Sequence, residues 1–151
     1  MTSRSNLTAE STATTRMLPH AMPAGSADRL LLFAIRRMAQ AGIDDAYASN
    51  AMLNHFGRGF RRPLVLLRAT IAEVSRVSAR SLMVAPCCCP RITADEHGLL
   101  SAIAGAVHDP RDAHDRLARH LGVRHCHVAG ETMRALDDAF RDLGHPLAVV
   151  G

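Results

Sequence analysis

The chain has 151 residues, of which 48% are hydrophobic, enough for one domain with one core. A mean hydropathy of +0.02 and the lack of any unbroken apolar run of about twenty residues argue against a membrane span. All 18 basic residues are Arg, a usage we read as codon bias beside abundant Ala; the formal charge of +4 shows no clustered patch, and aromatics are only 3%, so nucleic acid is not the expected partner.

Residues 1–25 are rich in Ser, Thr and Ala and lack apolar periodicity, so an unstructured tail is expected there. The tail has no apolar segment of the signal-peptide kind, which points to the cytoplasm. Met17, just before Leu18-Pro19-His20-Ala21, offers an alternative translation start.

Residues 26–147 read as a single all-α domain, a compact bundle of five or six helices. The first is predicted over about Ala27–Ala41, with Ser26 or Asp28 as N-cap and Gly42 as stop. Leu31, Ile35 and Met38 share a face that Leu30, Leu32 and Phe33 widen, so this helix is expected to be largely buried. The second spans about Asp45–Phe56, with Leu53 and Phe56 spaced for packing, and stops at Gly57. In the third, Pro63 suits the first turn. Leu64, Leu67, Ile71, Val74 and Ser78 form its apolar stripe, opposite Arg62, Glu73, Arg76 and Arg80, and it ends near Ala79–Leu82.

Ser81–Pro90 then reads as an extended connection, with Leu82-Met83-Val84 strand-like but unpartnered. Thr93-Ala94-Asp95-Glu96 is a capping box that opens the fourth helix. Leu99, Leu100, Ile103 and Val107 are its stripe. Asp109-Pro110 opens a fifth helix carrying Ala113, Leu117 and Leu121 before Gly122. The sixth is predicted over about Glu131–Leu143, with Met133, Leu136, Phe140 and Leu143 inward.

The chemistry concentrates in Pro86-Cys87-Cys88-Cys89-Pro90, between the third and fourth helices. The prolines keep the run out of helix. In extended backbone Cys87 and Cys89 share a side, with Cys88 opposite. The nearby helix N-terminus and Arg91 favour thiolate. In a reducing compartment such clusters mean metal or redox chemistry more often than structural disulfides. Cys87 and Cys89, with two of His125, Cys126 and His127, would complete a tetrahedral site, and His97 is a substitute ligand. Zinc or another thiophilic metal is the expected cofactor. The bland readings are a tight turn packed with small thiols and a polar loop between helices five and six. The sequence shows no His-Glu-x-x-His, phosphate loop or nucleophile elbow.

Four phrases resemble an uncharacterised bacterial family, a domain of unknown function. They are Leu18-Pro19-His20-Ala21; Arg29 to Met38; Gly59-Phe60-Arg61-Arg62-Pro63-Leu64-Val65-Leu66-Leu67-Arg68-Ala69; and Ala85-Pro86-Cys87-Cys88-Cys89-Pro90-Arg91. The resemblance implies that the cysteine run is a family feature, and it supplies no catalytic residue. His125-Cys126-His127 stands outside it. The reading is therefore a small, non-enzymatic cytoplasmic protein. Its cysteine loop binds a thiophilic metal or undergoes reversible thiol oxidation. The alternative is a metal-free helical module for a protein partner, with the cysteines as packing residues.

Overall fold

A computed structural model describes residues 18–148. Among them are six α-helices: α1 Ser26–Ala41, α2 Ala46–Phe56, α3 Arg61–Val77, α4 Ala94–Gly105, α5 Pro110–Leu121 and α6 His127–Asp142. A single 3₁₀ turn, Gly57–Phe60, joins α2 to α3. Two short strands, β1 His20–Ala21 and β2 Arg91–Ile92, pair antiparallel with His20 opposite Ile92. The all-α expectation holds, with this two-residue ladder as its only sheet among the described residues.

Residues 18–25, expected to belong to the unstructured tail, instead dock through β1 and through the Pro23 carbonyl, which accepts from Arg29 Nε at 2.7 Å. The remainder of that segment, and Met17, lie outside the described residues.

Local chemistry explains most helix ends. The Asp45 carboxylate accepts the Ala48 N–H at 2.8 Å and starts α2. The capping box forms as expected: Thr93 Oγ1 accepts the Glu96 N–H, and Glu96 accepts the Thr93 N–H. Asp109 caps α5 with Pro110 in its first turn, and Gly122 ends it at φ 71°, the left-handed conformation that glycine adopts without strain.

Four expectations about helices are corrected. The N-cap of α1 is Gly25, without a capping side chain, and not Ser26 or Asp28. The third helix ends at Val77, because Ser78 turns extended and its hydroxyl donates to the Arg80 carbonyl at 2.7 Å. Leu53 is exposed; α2 packs through Ala48 and Met52 instead, one residue around the helix. The sixth helix starts four residues earlier than Glu131, at His127.

Helix α3 lies along α6, α4 pairs with α5, and α1 pairs with α2. Leu31, Leu67, Leu100, Leu117, Met133 and Phe140 are fully buried where these pairs meet. Each such side chain contributes about 1.5–3 kcal/mol by leaving water. Ile71, placed mid-stripe on α3, is only half-buried. At the rim, Arg62 of α3 donates to Asp142 of α6 at 2.8 Å.

Candidate functional site

The segment from Ser78 to Thr93 joins α3 to α4 with little regular structure; Asp95 and Thr93 hold its Met83 backbone, and a buried arginine reaches its cysteine run. Arg36 points inward from α1 among leucines and is 1% exposed. Its Nε donates to Glu96 Oε1 at 2.7 Å and its Nη2 to Glu96 Oε2 at 3.0 Å, a bidentate pair. The remaining donors reach the loop: Nη1 to the Cys89 carbonyl at 2.9 Å and Nη2 to the Arg91 carbonyl at 2.8 Å. Glu96, 2% exposed, also accepts the N–H groups of Ala85 and Thr93. One buried ion pair thus holds the backbone at Ala85, Cys89, Arg91 and Thr93.

Within this clasp the cysteine run is not extended. The Cys89 N–H donates to the Pro86 carbonyl at 3.0 Å, closing a β-turn with Cys87 and Cys88 at its centre. Extended backbone was expected because Pro disfavours helix; a turn satisfies that restriction equally well. Cys88 is exposed, Cys87 and Cys89 are half-buried, and all are free thiols. None of the three lies in the fully buried core. Cys87 Sγ lies 3.9 Å from Gln40 Oε1 on α1.

The electrostatic surroundings also differ from expectation. Arg91 is turned away, its guanidinium donating to the Leu18 and Pro19 carbonyls, both at 2.8 Å. The first turn of α4 carries Asp95 and Glu96, which offset its dipole. Arg29 and Arg36 line a pocket with Cys87, and a further electrostatic interaction links Cys87 to Arg37. Its guanidinium is held charged chiefly by its hydrogen bond to Asp45, against partial desolvation, with smaller contributions from Asp45's charge, Cys87 and Tyr47. Asp95 balances burial, which raises its pKa, against hydrogen bonds from Arg80 and the Met83 N–H, and the balance lies below the usual carboxylate value.

The remaining candidate ligands are elsewhere. His97 stacks on His20 of β1, ring centroids 3.9 Å apart and 10° between planes. Burial, His97 and Arg91 together lower the His20 pKa. Cys126 is 3% exposed at the N-cap of α6. Burial, with a smaller push from Asp115, raises its thiol pKa. His125 and His127, exposed on either side of it, turn back onto His114 of α5.

The expected tetrahedron is therefore not assembled. Arg36 holds the Cys89 backbone and Gln40 meets Cys87 on α1, whereas His114 of α5 meets His125, Cys126 and His127 at the start of α6. Among the described residues, which include all nine histidines and all four cysteines, one group of three metal-ligating side chains converges: His114, His125 and His127. It contains neither a cysteine nor His97.

An apolar cleft of about 540 Å³ lies between α1, α3 and the loop, lined by Ile35, Met38, Ile71, Val74 and Val84 among others. Its one charged side chain, Arg80, is engaged with Asp95 and the His120 carbonyl. Among the described residues no helix is long and apolar enough to cross a membrane. A family model described as a family of unknown function (DUF6628) matches residues 8–144. No curated protein and no solved structure matches the chain.

Proposed function

We propose, from the premise that the chain belongs to DUF6628, a family of unknown function, that its cysteine turn is a reversible thiol switch and not an enzyme's active site. The observation that carries this reading is a buried Arg36–Glu96 pair whose further hydrogen bonds, apart from the Glu96 capping contact at Thr93, reach the backbone of a loop that carries three free thiols. Burying an ion pair rarely adds net stability over an apolar pair of similar size. Its use here fits a need for defined loop geometry. The reading places the protein in the cytoplasm, where free thiols persist.

The oxidant class is a small disulfide. One thiolate attacks a sulfur of the disulfide, forming a mixed disulfide and releasing one small thiol. A second cysteine then displaces the other small thiol and closes the internal bond. Two protein S–H groups lose two electrons and two protons in all, which leave on the two small thiols. Adjacent Cα atoms are about 3.8 Å apart, shorter than the usual span of about 4.4–6.8 Å across a disulfide. Cys87 with Cys89 is thus the less strained pair.

Incubation with glutathione disulfide at neutral pH, followed by intact-mass and peptide analysis, tests this. The native chain is expected to lose two hydrogens, localised to Cys87 and Cys89, without a change in helical circular dichroism. Cys89→Ser is expected to stop at the mixed disulfide. Thiols that react only after denaturation would overturn the proposal and leave the metal-free interaction module as the better reading.

A further inference from the structure

We infer that His114, His125 and His127 form a binding site for a borderline divalent cation, with zinc as the best-matched ion. The site is separate from the cysteine turn and does not rest on the thiol reading. Each ring offers one nitrogen, and the three nitrogens lie within 4.8 Å of one another. A tetrahedral zinc set with Zn–N of about 2.0–2.1 Å places nitrogens about 3.3 Å apart. Closing that gap takes rotation of the two exposed rings and release of the Cys126 N–H from His114 Nε2.

The backbone positions the set. His114 lies on α5; His127 is the first residue of α6, and His125 precedes the N-cap. The His114 and His127 rings are near-parallel, 12° apart with centroids at 4.6 Å, and His125 stacks on His127 at 5.3 Å. Gly130 packs beside His114, where an added Cβ would make ordinary contact with Cδ2 at 3.6 Å. His125 and His127 are exposed, with open solvent to turn into, yet both converge on the one partly buried imidazole.

The hydrogen bonds of His114 set its tautomer. Its Nε2 accepts the Cys126 N–H at 3.2 Å, and its Nδ1 lies 3.1 Å from Asp115 Oδ1. A neutral ring that accepts at Nε2 carries its proton on Nδ1 and donates it to Asp115. That leaves the Nε2 lone pair as the donor to a metal, backed by a carboxylate on the far nitrogen, the arrangement that orients ligating histidines generally. Metal at Nε2 would displace the Cys126 amide. Glu131, one turn beyond His127 and lining the same pocket, supplies negative charge against Arg111, Arg134 and the positive end of α6. Three imidazoles leave a fourth position for water.

The test is a zinc titration of the full-length, untagged chain in competition with a chromophoric chelator, repeated with cobalt for its visible spectrum. One equivalent is expected to bind, with no sulfur-to-cobalt charge-transfer band. The Cys126 amide resonance should move. His125→Gln/His127→Gln, both exposed and so safe for folding, should weaken binding by at least about tenfold. Asp115→Asn should weaken it by about 10–100-fold, the usual effect of losing such a partner. Cys87→Ser/Cys88→Ser/Cys89→Ser should leave it unchanged. Zinc binding that survives the double histidine variant, that is lost with the three serines, or that does not occur would overturn the assignment.

Discussion

Removing Arg36 alone leaves the Glu96 carboxylate buried with two amide donors and no cation. Arg36→Met is therefore expected to cost about 3–5 kcal/mol in urea denaturation. Arg36→Met/Glu96→Gln should recover most of that loss, since Gln keeps the capping box and no charge remains buried. Amide exchange around Cys89 should still be faster in the double variant, because two loop carbonyls have lost their donor. If the double variant were as unstable as the single one, the pair would be holding the fold together, not only shaping the loop. The sequence showed half of this arrangement. Glu96 was legible as the capping-box acid, whereas Arg36 was given no role of its own. The available signal was a charge inside Leu30–Met38, a stretch read as largely buried. His114 gave no comparable signal, because beyond the adjacent Asp115 its partners are a backbone amide and two imidazoles past the end of α5.

The contact between α4 and α5 turns on Gly98. Replacing a mid-helix glycine by alanine usually gains about 1 kcal/mol. Here a Cβ would lie 2.7 Å from His120 Cε1 and 2.8 Å from its Nδ1. The ring has limited room to swing away, since the His120 side chain is only 18% exposed. Gly98→Ala is thus expected to destabilise by about 1–3 kcal/mol. In a His120→Ala background the same change should stabilise, and thermal denaturation of the four variants closes the cycle. A stabilising Gly98→Ala in the native background would refute the contact. The other helices show what periodicity can and cannot reveal. The starts of α2, α4 and α5 were legible because Asp45, Thr93 and Asp109 are capping residues. The start of α6 was not, because Cys126 has no capping side chain and a buried thiol between two exposed imidazoles reads as a polar loop. The β1–β2 ladder was invisible because two-residue strands leave no alternation to detect. The turn at Cys87-Cys88 depends on one i to i+3 hydrogen bond that the prolines permit without requiring.

Across the whole molecule, burial couples stability to pH in two opposing ways. His20, His55 and His120 all have pKa values lowered from 6.5, each chiefly by burial. Between 6.5 and those lower values the unfolded chain binds more protons than the folded one. Their contribution is therefore complete above 6.5 and is lost as pH falls. Asp28 and Asp137 are raised from 3.8, again chiefly by burial, so their contribution grows as pH falls toward 3.8. The first effect governs mildly acidic solution. The urea midpoint is expected to fall as pH is lowered from about 7 to about 5.5, and His120→Gln should flatten that slope. A midpoint that rose over this window would show the carboxylates dominating. The Arg36–Glu96 pair has a further consequence, in time. Its partners are 60 residues apart in the chain, so the contact requires a long loop to close and belongs to the slow, non-local part of folding. During synthesis the three thiols leave the ribosome before Glu96 does. For that interval the turn has no clasp, and the nascent chain depends on its surroundings, not its own structure, to keep those sulfurs reduced.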